Sequence, residues 1–325
     1  MKRFLKYLSQ FFLLLAVAFL IFFFWASSST LKENEYTKLT IVENDILLEN
    51  DSIFSIVTYN IGYLSGMTNN LPVAKSKELF DKNLQKVLEE TKEIHPDIIS
   101  FQEIDYDASR SYHINQEEEI ANLGYPFRAK AINWDERYLP FPYWPVSMHF
   151  GKVVSGQSII SKYPLKEQQR IVLPRVADAP FYRDAFYLDR LAQVVKVVLN
   201  GKDVVLINIH LEAFEKETRV RQFQEVLKIF NQYKDKYPTI LLGDFNAKAR
   251  DENAVVQKIF AMKDIGNAAF DIRNLSNTFD TKDPYERIDY IFYTKNSIEY
   301  ISGKVLNDFE QASDHLPVFM EFKLK

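Results

Sequence analysis

Six apolar runs of this chain give way to side chains that ligate cations or move protons. Asn60 closes IVTYN, Glu103 closes IISFQE, and Asn208 and His210 close VVLINIH. Asp244 and Asn246 end TILLGDFN, Asp289 stands inside RIDYIF, and Asp314-His315 opens SDHLPV. A polar group at the end of a buried strand is costly unless it is ligated or hydrogen-bonded. One such ending is commonly an Asx turn or a helix cap. Six of them, all Asn, Asp, Glu or His, read as the rim of a single site held on rigid strands.

The atom types point to a chemistry. Carboxylate and amide oxygens suit a hard cation such as Mg²⁺, or else Mn²⁺ or Ca²⁺. Two histidines beside such a cation fit attack of water on a phosphate ester, one imidazole taking a proton and the other stabilising developing charge. Other chemistries are absent. The sequence has no GxxxxGK[ST], no HExxH and no GxSxG, which removes P-loop nucleotidases, common zinc peptidases and serine hydrolases. With 0 Cys there is no disulfide framework, thiolate metal site, cysteine nucleophile or cysteine-linked lipid. Arg190 in YLDRLAQ is a candidate phosphate ligand. His95 and His113 receive no role, and His149 is expected to be structural.

The elements that must position these groups follow from hydrophobic periodicity. SIFSIVTYN, PDIISFQE, SGQSIIS, AQVVKVVL, DVVLINIHL, PTILLGDFN and RIDYIFY read as strands. SKELFDKNLQKVLEETKEI and KETRVRQFQEVLKIFNQY carry apolar residues near a 3.6 period and read as helices. Strands mixed with helices, without a long hinge, predict one α/β domain over 51–325. The stretch YLPFPYWPVSMHF, 138–150, is a stiff aromatic-proline loop that either folds onto the core or meets a lipid layer or substrate.

The N-terminus is different in kind. Phe11 to Ala26 has no polar side chain, and the apolar stretch from Phe4 to Trp25 would run roughly 33 Å as a helix, enough to cross a hydrocarbon core of roughly 30 Å. Lys2, Arg3 and Lys6 precede it, so 1–26 is expected to be an anchor with a cytoplasmic N-terminus and the rest extracytoplasmic. Cleavage after Ala26 would make the domain secreted instead. Residues 27–50, polar and aperiodic at first, are expected to be a linker.

The motifs TYNIG, SFQE, NIHL, GDFN, RIDYIF and SDHLPV, in this order, resemble the endonuclease/exonuclease/phosphatase superfamily, which includes deoxyribonuclease I-like nucleases, bacterial sphingomyelinases and inositol-polyphosphate 5-phosphatases. The resemblance spans about residues 52–322. It implies a four-layer α/β sandwich, two mixed sheets flanked by helices, with the site at one end. Carried over by position, it makes Glu103 the main Mg²⁺ ligand, with Asn60 and Asp314 beside metal and phosphate. His315 becomes the base, oriented by Asp289. Asp244 positions the water or a second metal, Asn246 holds a phosphate oxygen, His210 donates to developing charge and Asn208 supports it.

The substrate is less defined, because the motifs are shared by nucleases, lipid phosphodiesterases and phosphatases. The whole chain has 40 basic and 44 acidic residues; without Lys2, Arg3 and Lys6 the remainder carries 37 basic residues, a net of -7. That balance gives no general attraction to DNA. Anchor and aromatic loop favour a lipid headgroup, with an extracytoplasmic nuclease as the alternative. A catalytically inactive binding member would be expected to lack a metal carboxylate or a histidine, and none is missing. The chain is expected to act as a monomer.

Overall fold

A computed structural model describes residues 1–42 and 51–325 of the chain. Its strands are β1 (Thr37–Ile41), β2 (Phe54–Asn60), β3 (Ile98–Asp105), β4 (Phe127–Leu139), β5 (Gly151–Ser161) and β6 (Leu165–Val172). They continue with β7 (Leu191–Leu199), β8 (Lys202–His210), β9 (Thr239–Asp244), β10 (Ile265–Asn267), β11 (Asp289–Thr294), β12 (Ile298–Val305) and β13 (Val318–Leu324). One sheet runs β1-β4-β5-β3-β2-β13-β12 and the other β10-β11-β9-β8-β7-β6. Two pairs are parallel, β2 with β3 and β8 with β9. Parallel neighbours need a crossover, and helices α2 (Lys77–Ile94) and, after the short α3 (Gln116–Ala121) and α4 (Phe181–Asp184), α5 (Lys216–Tyr233) provide them.

Helix boundaries follow local chemistry. The Ser76 side chain accepts from the Leu79 N–H at the start of α2, which ends at His95 in a left-handed conformation just before Pro96. Glu215 accepts from the Glu217 and Thr218 N–H groups at the start of α5. Phe80 and Val87 of α2 pack on one face of the first sheet, whereas Phe223, Val226 and Phe230 of α5 pack on the second. Helix, sheet, sheet, helix is the four-layer sandwich expected.

The layer between the sheets divides along the strands. Phe54, Ile56, Ile98, Leu206, Ile240, Leu242 and Ile291 form its apolar part. Strand side chains alternate between faces, so the same inner face continues through Thr58 and Asn60, through Ser100 and Gln102, and through Asn208 and His210. On β9 it reaches Asp244. The strands therefore pass from an apolar half to a polar half, and the polar half lies at the carboxyl ends of both parallel pairs. Alternation would turn Glu103 toward the helices instead. A register shift of β3 against β5 between Phe101 and Ile104, with Glu103 at φ 52°, marks a bulge that re-aims it.

Part of the expected linker is built into the fold. Thr37–Ile41 pairs with Phe127–Ala131 of β4 as the edge of the first sheet. Its five residues bury nothing fully, and polar residues precede them, which is why periodicity misses them. The Asp135 carboxylate, almost fully buried, accepts from Thr30 N (2.9 Å), Thr30 Oγ1 (2.6 Å), Leu31 N (2.9 Å) and Tyr36 Oη (2.9 Å). Residues 43–50 of the linker expectation lie outside the described residues. Asp135→Ala leaves four donors without this acceptor and is expected to cost about 2–4 kcal/mol. Native-state proteolysis should then cut within residues 27–36, and an unchanged cleavage pattern would contradict the fixed mount.

Helix α1, Lys2–Ala26, is long and apolar enough to cross a membrane and is exposed over almost its whole length. Apolar helices of this kind normally lie in a protein core or in lipid.

Candidate active site

Three members of the site are lateral neighbours on the second sheet. His210 of β8 is in register with Asp244 of β9, and Asp244 with Asp289 of β11. Gly243 makes this spacing possible: at φ 133°, any Cβ on it would meet the Ile209 carbonyl oxygen at 2.0 Å. Asn60 and Glu103 come from the facing sheet. The loop before β13 brings Asp314 and His315, and Ser313 fixes it by donating from Oγ to the Asn60 carbonyl at 2.8 Å. Gly62 clears the opposite side, since a Cβ there would lie 2.8 Å from Asp314 Oδ1.

These groups meet. His315 Nδ1 lies 3.0 Å from Asp289 Oδ2, and its Nε2 lies 3.9 Å from Asp244 Oδ2. His210 Nε2 is 3.5 Å from Asp244 Oδ2 and 3.6 Å from Glu103 Oε1. Asn60 donates from Nδ2 to Asp244 Oδ2 at 3.0 Å. Asn69, in a loop with no distinguishing pattern in the sequence, donates to Glu103 Oε2 at 2.9 Å and faces Asp314 Oδ1 at 3.3 Å.

Burial sets the electrostatics. Burial and the Asp289 charge push Asp244 up to about 7. Burial and Asp314 raise Glu103, and burial also raises Asp314. Burial, Arg190 and His315 hold His210 well below the usual histidine range, so it is neutral. Burial opposes charge on His315 as well, but Asp289, Asp244 and Asp314 together outweigh it and hold its pKa well above the usual value.

Other expected members stand back from the cluster's centre. Asn208 is fully buried between the sheets, where it accepts from Gln102 Nε2 (2.7 Å) and donates to Gln193 Oε1 (3.1 Å) and the Phe101 carbonyl (3.0 Å). It ties the two halves together and has no amide hydrogen left for a substrate. Asn246 donates to the Leu211 carbonyl (2.9 Å) and to Asp244 Oδ2 (3.2 Å), so it orients Asp244. Buried Arg190 reaches the His210 ring, 3.1 Å from Nδ1 and 2.7 Å from Nε2. Its Nε has no hydrogen-bond partner and lies 3.7 Å from Glu212 Oε2.

His95, His113 and His149 lie apart from this cluster, against Lys162, Asp107 and Tyr138 respectively. Sequence reasoning also missed Arg110, which forks onto Asp105 (2.8 and 3.1 Å) and lies 3.5 Å over the Tyr63 ring. The adjacency of Tyr63 to TYNIG was a signal that went unread.

Three buried carboxylates with raised pKa values and a fourth held against His315 form a donor set for a hard cation. Glu103 and Asp314 both reach one Asn69 nitrogen, so a single small position touches both. Ligand atoms of Asp244, Asp289 and His315 also lie within 4.8 Å of one another.

The sequence model described as the Endonuclease/Exonuclease/phosphatase family matches residues 57–315. No curated protein matches the chain. Among solved structures, an endonuclease/exonuclease/phosphatase from Beutenbergia cavernae aligns at 22% identity and TM-score 0.62, covering 84% of this chain and 72% of that one. The human Nocturnin catalytic domain with bound sulfate anion aligns at 18% and 0.58, covering 91% and 100%. D. rerio TDP2 complexed with single strand DNA product aligns at 18% and 0.58, covering 84% and 100%. At these identities the likeness is one of fold.

Proposed function

The chain belongs to the endonuclease/exonuclease/phosphatase family, and from that premise we propose that it is a membrane-anchored, divalent-metal-dependent hydrolase of phosphate esters. The observation that carries this reading is the convergence of Glu103, Asp244, Asp289 and Asp314 on two imidazoles of opposite proton preference.

Glu103 and Asp314, with Asn60 beside them, would hold Mg²⁺ or Mn²⁺. When bound, the cation neutralises charge on the phosphoryl oxygens. In its deprotonated form His315, oriented through Nδ1 by Asp289, takes a proton from the attacking water at Nε2, while Asp244 accepts the water's second hydrogen and fixes its approach. The new P–O bond forms as the ester P–O bond breaks, and the departing oxygen leaves on the far side of phosphorus. Arg190 can only donate and lies 2.7 Å from His210 Nε2. Neutral His210 therefore donates from that nitrogen to a phosphoryl oxygen only with its proton at Nε2 and the guanidinium turned to the phosphate. The guanidinium of Arg190, whose Nε faces Glu212 at 3.7 Å and whose Nη1 lies beside His210, adds positive charge next to that oxygen.

Full-length protein in detergent should hydrolyse bis(p-nitrophenyl) phosphate, lose that activity in EDTA, and regain it with Mg²⁺ or Mn²⁺. Turnover that is indifferent to EDTA would overturn the metal requirement. The same reading places α1 across a membrane with Lys2, Arg3 and Lys6 on the cytoplasmic side. A C-terminal reporter should be active only outside the cytoplasm, and cytoplasmic activity would reverse the topology.

A further inference from the structure

Two aromatic segments surround the point where α1 leaves the domain. Phe23 packs edge-on against Phe181 and Phe186, with centroids 5.8 and 5.6 Å away, while Phe22 and Trp25 meet the Tyr138 ring at 5.7 and 6.5 Å. Each segment is partly anchored and partly exposed. Leu139 and Phe150 are buried, with Phe141 and Phe186 packed against them. Tyr143, Trp144 and Val146 on one segment, and Phe181 and Tyr182 on the other, remain exposed, Trp144 by 78% and Phe181 by 74%. Large exposed apolar side chains gathered in one place mark an interaction surface.

Its partner follows from α1. A helix of 25 residues is about 37 Å long, against a hydrocarbon core of roughly 30 Å. If α1 spans a bilayer with Lys2, Arg3 and Lys6 at the cytoplasmic surface, its exit end around Trp25 and Ala26 lies at the opposite interface, where Trp and Tyr are enriched. The residues that touch them lie there too. The mount does not let the domain swing away. Beyond the four hydrogen bonds to Asp135, Arg137 donates from N and Nε to Ser28 (3.0 and 2.9 Å), and β1 joins the sheet. Exposed Arg137 and Arg183 add cations beside the aromatics, suited to lipid phosphates.

A chain of side-chain contacts links each segment to the active site. From one, Phe150 leads to Arg110 (5.0 Å), then to the Tyr63 ring (3.5 Å), next to Gly62 and Asp314. From the other, Tyr187 donates to Glu212 at 2.7 Å, and Glu212 faces Arg190 beside His210. We infer that this aromatic collar seats the domain in the headgroup layer and that the site takes its phosphate ester from a lipid headgroup of the same leaflet. The substrate half of the inference rests on the hydrolase reading above; the seating half does not.

The test uses the full chain in phosphatidylcholine vesicles doped in turn with phosphatidylglycerol, phosphatidic acid, sphingomyelin or a phosphoinositide. Because the chain has 0 Cys, Trp144→Cys can carry a single environment-sensitive fluorophore. Its emission in vesicles should be shifted to the blue of the same dye carried by Glu299→Cys, an exposed position on β12, whose own emission in the same vesicles should stay that of an aqueous dye. Tyr143→Ser combined with Trp144→Ser should lower hydrolysis of the preferred lipid at least about tenfold, as expected when interfacial aromatic area is lost, while bis(p-nitrophenyl) phosphate turnover stays unchanged. A water-like label at position 144 would overturn the seating. Cleavage of single-stranded DNA or the soluble diester with every vesicle lipid intact would overturn the lipid substrate but leave the hydrolase reading standing. Hydrolysis of no ester at all would sink the hydrolase reading itself, while the label would still decide the seating.

Discussion

Glu103→Gln is expected to lower metal-dependent phosphodiester hydrolysis by about a hundred- to a thousandfold and, at the same time, to raise the melting temperature of the metal-free protein. The two effects have one cause. Glu103 stands at φ 52°, buried, with its carboxylate beside Asp314, and both burial and Asp314 oppose its ionisation. Such a group is held in place by its surroundings at a cost to the fold. Gln keeps the shape and can still accept from Asn69, but it removes a charge that only a bound cation compensates. A buried acid whose folded pKa is raised destabilises the fold once pH exceeds its unfolded value, near 4.3. The gain in melting temperature should therefore be a few degrees at neutral pH and vanish in acid. Saturating Mg²⁺ should stabilise the native protein more than the variant, because ligand binding adds to stability only where a site exists. Initial rates and thermal unfolding, each with EDTA and with Mg²⁺, check all of this. Retained turnover, or a lower melting point without metal, would remove Glu103 from the metal site.

What could be read from the sequence was the set of strand ends, because each is a local signal: an apolar run that stops on a chemical group. Asn60, His210 and Asp244 needed nothing more, since strand alternation puts them on the inner face with Leu206 and Leu242, and Asp289, which opens β11, shares that face with Ile291. Glu103 reads as a strand-end acid, but β3 continues past it to Asp105, and its direction depends on a bulge that periodicity does not encode. Asn208 and Asn246 were indistinguishable from substrate ligands until their partners were known, because an amide is equally suited to a phosphate or a neighbouring carbonyl. Asn69 had no signal at all. Nor did β4, whose residues Asn133, Asp135 and Glu136 break the apolar pattern and yet are buried. Asp135 is a charge at a core position because it receives four donors from residues a hundred positions earlier, and no local window contains them. The same long-range pairing hid β1 within what read as a linker.

Removing the base should be the other large effect, and it carries its own discriminator. His315→Gln is expected to reduce turnover by about a thousandfold, within the range for loss of a general base. That loss alone does not establish a role in proton transfer, because His315 also packs its ring 5.1 Å from Phe279. Asp289→Asn separates the possibilities. Burial disfavours the imidazolium, and Asp289 is the foremost of the carboxylates that overcome it. An acceptor that stays neutral therefore lowers the His315 pKa. A base works only when deprotonated, so the acid limb of the pH–rate profile reports that pKa and should move to lower pH. Maximal turnover should fall as well, since the amide no longer stabilises the imidazolium that forms in the transition state. A merely structural His315 would give a lower melting point and an acid limb that does not move. The profile of the single Asn variant, measured beside that of the native protein, decides whether His315 transfers the proton.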